Sequence, residues 1–219
     1  QVADLVRERL LPPGEGPAPR VHLVGNSIGA MVALTAARLL LAEGFPPFQV
    51  ILIDCAQRTL DDKRAAQLPG WERASRPLVK ALVRQRWVIT PLFRLLAQPA
   101  FIRSVLARAY PSGANVDDEL VESILRPSRD PGAFGVFRTV FDIPRGQPLD
   151  ALFAQLQAPL LLLWGIRDPW INAAGRRGAF QRHAPANTTE VVLQAGHCPH
   201  DEVPDQVNRA MLEWLAALR

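Results

Sequence analysis

Short apolar runs alternate with stretches of helical periodicity along this 219-residue chain. Residues 49–54, Gln-Val-Ile-Leu-Ile-Asp, are almost entirely apolar, which predicts a parallel strand that is covered on both faces. Short runs that are wholly or partly apolar predict further strands at 20–24, 159–164 and 188–193. The stretches between them predict helices at 1–11, 30–43, 171–183 and 201–218. Strands that alternate with helices predict an α/β fold with a parallel sheet flanked by helices.

The pattern changes between residues 58 and 148, where strand-like runs disappear and helical periodicity dominates. Prolines interrupt the helical pattern repeatedly in this stretch. We interpret it as a helical lid inserted into the α/β core. The predicted organisation is a first part of the core at 1–57, a lid at 58–148 and a second part of the core at 149–219.

Composition excludes several classes of function. The net charge of +4 is spread along the chain without a block of five like charges, and the sparse aromatic residues show no stacking pattern, so we expect no nucleic-acid partner. Cys55 and Cys198 have neither disulfide-framework nor metal-site spacing, and we predict no metal site. No apolar run approaches the roughly 18 residues of a membrane span. With 48% hydrophobic residues, the chain can bury a sizeable core.

The pentapeptide Gly25-Asn26-Ser27-Ile28-Gly29 joins the first predicted strand to the small-residue helix that follows it. A G-x-S-x-G sequence between a strand and a helix predicts a nucleophile elbow, a tight turn that holds the serine hydroxyl exposed. In this interpretation Gly25 and Gly29 leave room where side chains would collide. The backbone N–H of Ile28 then supplies one oxyanion donor. The alternative is a glycine-rich turn in which Ser27 merely caps the helix.

A serine nucleophile needs a base, and the base needs an orienting acid. Asp168 follows the third predicted strand and His197 follows the fourth, so we expect both at the edge of the sheet where Ser27 lies. The order Ser27, Asp168, His197 is that of α/β-hydrolases. Asp54 remains an alternative acid, and His200 an alternative base. Asp168 is also open to a helix-capping role, and His197 to a structural role in the core.

Four segments of the chain carry a family resemblance. They are the elbow at 24–29, a lid segment at 115–127 (Asn-Val-Asp-Asp-Glu-Leu-Val-Glu-Ser-Ile-Leu-Arg-Pro), the strand and loop at 160–170, and the segment at 195–204 (Ala-Gly-His-Cys-Pro-His-Asp-Glu-Val-Pro) with Val207 and Asn208. With these segments the chain resembles the pheophytinase and chlorophyll dephytylase-like branch of the α/β-hydrolase superfamily, over essentially its whole length. Ser27, Asp168 and His197 fall on the triad positions of that family. Its early strands and oxyanion-loop motif have no counterpart before Ser27, so we expect the core to be N-terminally incomplete.

The resemblance implies an α/β-hydrolase fold with a helical lid and a serine esterase activity that needs no cofactor. The implied substrate is a bulky apolar ester, such as the phytyl ester of pheophytin or chlorophyll, in a plastid or a cyanobacterium. A generic lipase or esterase for acyl glycerols or small esters is one alternative, and a non-catalytic relative is another. The basic first half of the lid further suggests peripheral contact with anionic membrane lipids. The sequence does not indicate an oligomeric state.

Overall fold

Among the described residues, strands and helices alternate at both ends of the chain, and the elements of its middle are helices. The computed structural model describes residues 1–10, 21–45, 48–56, 69–83, 85–140, 149–171 and 173–218. The strands within these ranges are β1 (His22–Asn26), β2 (Gln49–Ile53), β3 (Leu160–Gly165) and β4 (Thr188–Leu193). The α-helices are α1 (Val2–Leu5), α2 (Ile28–Ala42), α3 (Gly70–Val83), α4 (Arg86–Leu96), α5 (Pro99–Ala109), α6 (Asp118–Leu125), α7 (Ala133–Val140), α8 (Leu149–Ala154), α9 (Ala173–His183), α10 (Pro199–Glu202) and α11 (Pro204–Ala217). A 3-10 helix follows α6 at Arg126–Arg129.

The strands of the described residues form a parallel sheet in the order β1-β2-β3-β4. At the carboxyl edge, Asn26 of β1 pairs with Ile53 of β2, and Gly165 of β3 pairs with Leu193 of β4. The predicted parallel sheet is therefore confirmed, although β1 lies two residues further along the chain than the predicted strand 20–24. This shift brings the end of β1 directly against Ser27.

Both faces of the sheet are covered, as the apolar pattern of β2 predicts. Leu52, Leu162 and Trp164 belong to a core on one face, together with buried residues of α2, α8 and α9. Most of the buried positions of α2 are alanine, which allows this helix to lie close to the sheet. Ile53 and Leu163 belong to a second core on the other face, together with α11. With both faces buried, the carboxyl ends of the strands are left to carry the loops.

The chain divides into two compact units. The first contains Gln1–Ala56 and Gln147–Arg219, and the second contains Gln57–Gly146. The sheet belongs to the first unit with α1, α2 and α8–α11, whereas α3–α7 belong to the second. The boundaries predicted at 57/58 and 148/149 fall in or beside stretches that lie outside the described residues.

The second unit has an aromatic core of its own. Phe93 of α4 packs against Phe134 and Phe137 of α7, with ring centroids 5.6 and 5.1 Å apart. Asp117 caps α6 by accepting the backbone N–H of Leu120 at 2.8 Å.

Among the helices that the structure describes, none combines the length and the hydropathy of a bilayer span.

Two predicted helices differ from the structure. The helix predicted at 201–218 is broken at Val203, whose φ is −136° and ψ is 57°. The residue before a proline is disfavoured in the helical conformation, and Val203 precedes Pro204. Two helices, α10 and α11, therefore replace the single predicted one. The helix predicted at 1–11 begins as α1 and continues as a π-helix over Val6–Leu10.

Candidate active site

Each strand of the described sheet ends at or near a candidate residue predicted from the sequence. Ser27 follows β1 and Asp54 follows β2, while the loops after β3 and β4 carry Asp168 and His197. Parallel strands bring their carboxyl ends to one edge of a sheet. The predicted nucleophile, both candidate acids and the predicted base therefore lie at the same edge of the first unit.

Ser27 occupies a strained turn between β1 and α2. Its φ of 53° and ψ of −116° lie outside the regions that non-glycine residues normally adopt. The backbone around it holds this conformation, because the N–H of Ser27 donates to the carbonyl of Ile53 at 2.9 Å and its carbonyl accepts from Ala30 and Ala56 at 3.2 Å each. Its side chain makes no capping hydrogen bond to α2. The geometry favours a nucleophile elbow over a serine that merely caps the helix.

Tight backbone packing requires glycine at position 25. A Cβ on Gly25 would lie 2.2 Å from the carbonyl oxygen of Gly29 and 2.6 Å from the backbone nitrogen of Ala30. No side-chain rotation relieves these contacts, because both atoms belong to the backbone. A Cβ on Gly29 would have no described atom within 4 Å. The expectation that both glycines prevent collisions is therefore confirmed for Gly25 and wrong for Gly29, whose backbone is the surface that Gly25 approaches.

We expect Gly25→Ala to destabilise the protein by about 1–3 kcal/mol, the usual cost of overpacking a close contact. Gly29→Ala is the matched control, since its methyl group meets no described atom and alanine is favoured over glycine inside a helix by about 1 kcal/mol. Urea unfolding followed by circular dichroism measures both variants. Equal free energies of unfolding would contradict the steric role of Gly25.

The carboxylate of Asp168 is shared between the imidazole and the local backbone. Its Oδ1 accepts the N–H groups of Trp170 and Ile171 at 2.7 and 2.9 Å, and its Oδ2 lies 2.6 Å from Nδ1 of His197. The Asp168 side chain is fully buried, whereas 15% of the His197 side chain is exposed. An ionised carboxylate only accepts, so we assign the proton to Nδ1 as the donor to Asp168, and this assignment leaves Nε2 as the acceptor nitrogen. Asp168 thus closes the turn before α9 and also orients the imidazole.

The loop after β4 returns across the end of β3 to reach the elbow. The side-chain amide of Asn26 donates to the carbonyl of His197 at 2.9 Å, although β1 and β4 lie at opposite ends of the strand order. Gly165 makes this crossing possible, because a Cβ there would lie 1.9 Å from the carbonyl oxygen of Gly196. The crossing places His197 against the residue that precedes Ser27.

Two further residues support the loop that carries His197. The buried carboxylate of Glu202 accepts the N–H of Gly196 at 2.6 Å. Trp170 packs edge-on against the imidazole of His197, with ring centroids 4.9 Å apart. Neither role was predicted from the sequence, nor was the crossing over Gly165. The sequence did place these residues in the segments 160–170 and 195–204 that carry the family resemblance. Membership of such a segment does not tell a buried carboxylate that accepts a hydrogen bond from one on the surface.

Asp54 lies buried at the end of β2, where its carboxyl group meets Gly165. Both of its oxygens accept the N–H of Gly165, at 2.9 and 3.2 Å. Burial raises the pKa of Asp54 to about 8; the Gly165 N–H opposes this shift and the negative charge of Asp168 adds to it. A carboxyl group that is mostly protonated at neutral pH stabilises an imidazolium poorly. The hydrogen bond between Asp168 and His197 and the raised pKa of Asp54 both favour Asp168 over Asp54 as the acid.

His200, the alternative base, lies exposed on α10. Although the residue is exposed, loss of water around its ring lowers the pKa of His200; the charge of Asp201 opposes this shift, and His197 adds to it. Asp168 forms its hydrogen bond with His197. An imidazole oriented by a buried carboxylate is the better base for a serine, so the geometry favours His197.

Two buried carboxyl groups at this edge of the sheet accept hydrogen bonds from backbone N–H groups. Asp54 accepts from Gly165, and Glu202 accepts from Gly196. Within the part of the chain that the structure describes, no group of three or more His, Cys, Asp or Glu side chains is arranged to hold a metal ion.

Residues 1–210 match the model of a family described as the alpha/beta hydrolase family. Over 132 residues the chain is also 26% identical to the chloroplastic pheophytinase of Arabidopsis thaliana. This match covers 58% of the chain and 27% of that protein. The matched segment therefore spans little more than a quarter of that relative.

Solved structures of hydrolases share the fold. A serine hydrolase involved in carbazole degradation superposes with a TM-score of 0.63 at 16% sequence identity, over 93% of this chain and 66% of that one. A thermophilic esterase from Thermogutta terrifontis superposes with a TM-score of 0.59 at 24% identity, over 91% of this chain and 66% of that one. Together with the parallel sheet, these similarities show the α/β-hydrolase fold that the sequence predicted.

Proposed function

The chain belongs to the alpha/beta hydrolase family, and we propose that it is a serine hydrolase that cleaves a carboxylic ester through an acyl-enzyme intermediate. The proposal depends on the 2.6 Å hydrogen bond between Nδ1 of His197 and the buried carboxylate of Asp168, at the sheet edge that also carries the strained Ser27 turn. In this triad Ser27 is the nucleophile, His197 is the general base and Asp168 is the orienting acid.

Acylation begins at the Ser27 hydroxyl. Nε2 of His197 accepts the hydroxyl proton while Oγ bonds to the ester carbonyl carbon, and the π electrons of the carbonyl move to its oxygen. Asp168 keeps Nδ1 protonated and stabilises the imidazolium that forms. When the tetrahedral intermediate collapses, the bond from carbon to the alcohol oxygen breaks, and Nε2–H protonates the departing alkoxide. The acyl group remains on Ser27.

The negative carbonyl oxygen needs donors that are already oriented. Ile28 begins α2, and the first N–H groups of a helix have no acceptor within the helix. The same end of the helix carries a partial positive charge. We therefore assign the N–H of Ile28 as one oxyanion donor. Water activated by His197 then attacks the acyl-enzyme, releases the acid and restores the Ser27 hydroxyl.

We propose a bulky apolar ester, such as the phytyl ester of pheophytin or chlorophyll, as the substrate. The similarity to Arabidopsis pheophytinase over 58% of the chain supports this class of substrate. The chloroplastic location in that relative's name supports a plastid location for this protein as part of the same proposal. The same triad would also support hydrolysis of acyl glycerols or small esters. Only a comparison of hydrolysis rates on different esters separates a phytyl esterase from a generic lipase or esterase.

A substrate panel tests the proposed class of ester. Pheophytin, a triglyceride and short p-nitrophenyl esters are each offered to the purified chain, and kcat/KM is measured for each. We expect the highest kcat/KM for pheophytin, because the chain is similar to a pheophytinase over 58% of its length. A higher value for the triglyceride or the short esters would assign a generic lipase or esterase instead. A folded chain that hydrolyses none of them and does not react with a fluorophosphonate probe would be a non-catalytic relative.

A further inference from the structure

The second unit presents large apolar side chains to solvent along α3. Trp71, Leu78 and Leu82 are 75%, 73% and 46% exposed. Separations of seven and eleven residues are close to two and three helical turns, so the three positions lie along one side of α3. We call these three residues the apolar strip. Large exposed apolar patches mark interaction sites more often than scattered single residues do.

Exposed apolar residues continue into α4. Trp87 and Leu95 are 71% and 58% exposed. Phe93 of the same helix instead packs against Phe134 and Phe137. The second unit thus fills its own core with phenylalanines and leaves two tryptophans outside it.

Cationic residues dominate the same stretch of sequence. Residues 70–96 contain one acidic residue, Glu72, and six cationic residues: Arg73, Arg76, Lys80, Arg84, Arg86 and Arg94. On a helical wheel of about 100° per residue, sequence positions 73, 76 and 80 come opposite positions 71, 78 and 82. A helix with aromatic and aliphatic residues on one side and a cation-rich opposite side is typical of helices that lie in the surface of an anionic membrane.

We propose that α3 and α4 bind the surface of anionic lipid bilayers, with the apolar strip among the lipid chains and the cationic residues at the headgroups. Tryptophan suits this boundary, because its ring is apolar and its N–H stays hydrated. Lysine and arginine suit it as well, because their aliphatic stems cover apolar surface while their charges remain in water. The excess of positive charge selects an anionic lipid surface over a neutral one. Binding of this kind requires no catalysis and goes beyond the proposed function.

Vesicle sedimentation tests the lipid surface. The chain is mixed with vesicles of phosphatidylcholine alone, or of phosphatidylcholine with phosphatidylglycerol. We expect at least about tenfold stronger binding to the anionic vesicles, and weaker binding when the salt concentration is raised. Leu78→Glu places a negative charge in the apolar strip and should weaken this binding by at least about tenfold. Leu212→Glu is the matched control, because Leu212 is 67% exposed on α11 in the other unit, and it should bind like the unaltered chain.

Further variants separate lipid binding from folding and from catalysis. Trp71→Ser is a second change in the apolar strip, expected to weaken binding even if Leu78→Glu fails to fold. Ser27→Ala removes the proposed nucleophile and leaves α3 intact, so it should bind anionic vesicles normally. Equal binding of Leu78→Glu and Leu212→Glu would overturn the proposal, and so would equal binding of the unaltered chain to both vesicle types. Absence of vesicle binding, with self-association that Leu78→Glu abolishes, would assign the strip to a second copy of the chain.

Discussion

Ser27→Ala is expected to lower kcat for ester hydrolysis by about 10³- to 10⁶-fold while KM changes little. Alanine has no Oγ to form the acyl-enzyme, so the hydrogen-bonded pair of Asp168 and His197 has no nucleophile to activate. Steady-state hydrolysis of a p-nitrophenyl ester measures kcat and KM. Labelling with a fluorophosphonate probe, mapped by mass spectrometry, reports whether the residue at position 27 reacts.

Ser104→Ala is the matched control for the loss of a serine hydroxyl. The Oγ of Ser104 donates to the carbonyl of Phe101 on an exposed part of α5, so we expect full activity and unchanged labelling of Ser27. Thermal unfolding of both variants shows whether each remains folded. If a folded Ser27→Ala variant hydrolyses the ester at the unaltered rate, Ser27 has no part in the mechanism.

Asp168→Asn is expected to lower kcat by about 10⁴-fold. Its Oδ1 still accepts the N–H groups of Trp170 and Ile171, so the turn before α9 is kept. The amide nitrogen in place of Oδ2 is a donor and repels Nδ1–H of His197, which favours the tautomer with the proton on Nε2. In that tautomer His197 does not accept the proton of Ser27. Steady-state kinetics over a series of pH values measures the loss.

Asp54→Asn distinguishes the two candidate acids. Because burial raises the pKa of Asp54 to about 8, its carboxyl group is mostly neutral at pH 7. Asparagine resembles this neutral form, and its Oδ1 still accepts the N–H of Gly165. We expect Asp54→Asn to keep its activity within about tenfold of the unaltered chain. A collapse of activity in Asp54→Asn, with activity retained in Asp168→Asn, would exchange the roles assigned to the two carboxyl groups.

The same variant also changes how stability depends on pH. The pKa of Asp54 has its ordinary value of 3.8 in the unfolded chain and is raised to about 8 in the folded protein. Its contribution to stability is therefore fully present below a pH of about 4 and is lost as the pH rises to about 8, with a slope of up to about 1.4 kcal/mol per pH unit. Urea unfolding of Asp54→Asn should show a smaller loss of stability across this window than the unaltered chain. Parallel pH profiles would contradict the raised pKa of Asp54.

Local patterns of sequence were sufficient for most of the α/β core. The apolar run of β2 predicted burial on both faces, and Leu52 and Ile53 do face opposite cores. Strand burial is readable because successive side chains of a strand alternate between its faces. The single helix predicted at 201–218 was wrong for an equally local cause, since Pro204 disfavours the helical conformation at Val203.

The contacts that complete the candidate site were not readable in this way. The predicted strand ended at residue 164 and left Gly165 as an ordinary loop residue, but Gly165 ends β3 and the loop after β4 passes over it. Glu202 looked like one of several polar residues on a helix, but it is buried and holds Gly196. Both roles follow from the path of a loop across the sheet edge, and the spacing of residues along the chain does not encode that path.

The amino-acid sequence was enough to predict the parallel sheet, the strained turn at Ser27 and the order Ser27, Asp168, His197, because apolar periodicity and turn chemistry act between neighbouring residues. The choice between Asp54 and Asp168 required the folded chain. Asp54 meets Gly165 across 111 residues, and Asn26 meets the His197 loop across 171. Burial and hydrogen bonding at such separations exist only after the strands have assembled, and they leave one carboxylate facing the imidazole.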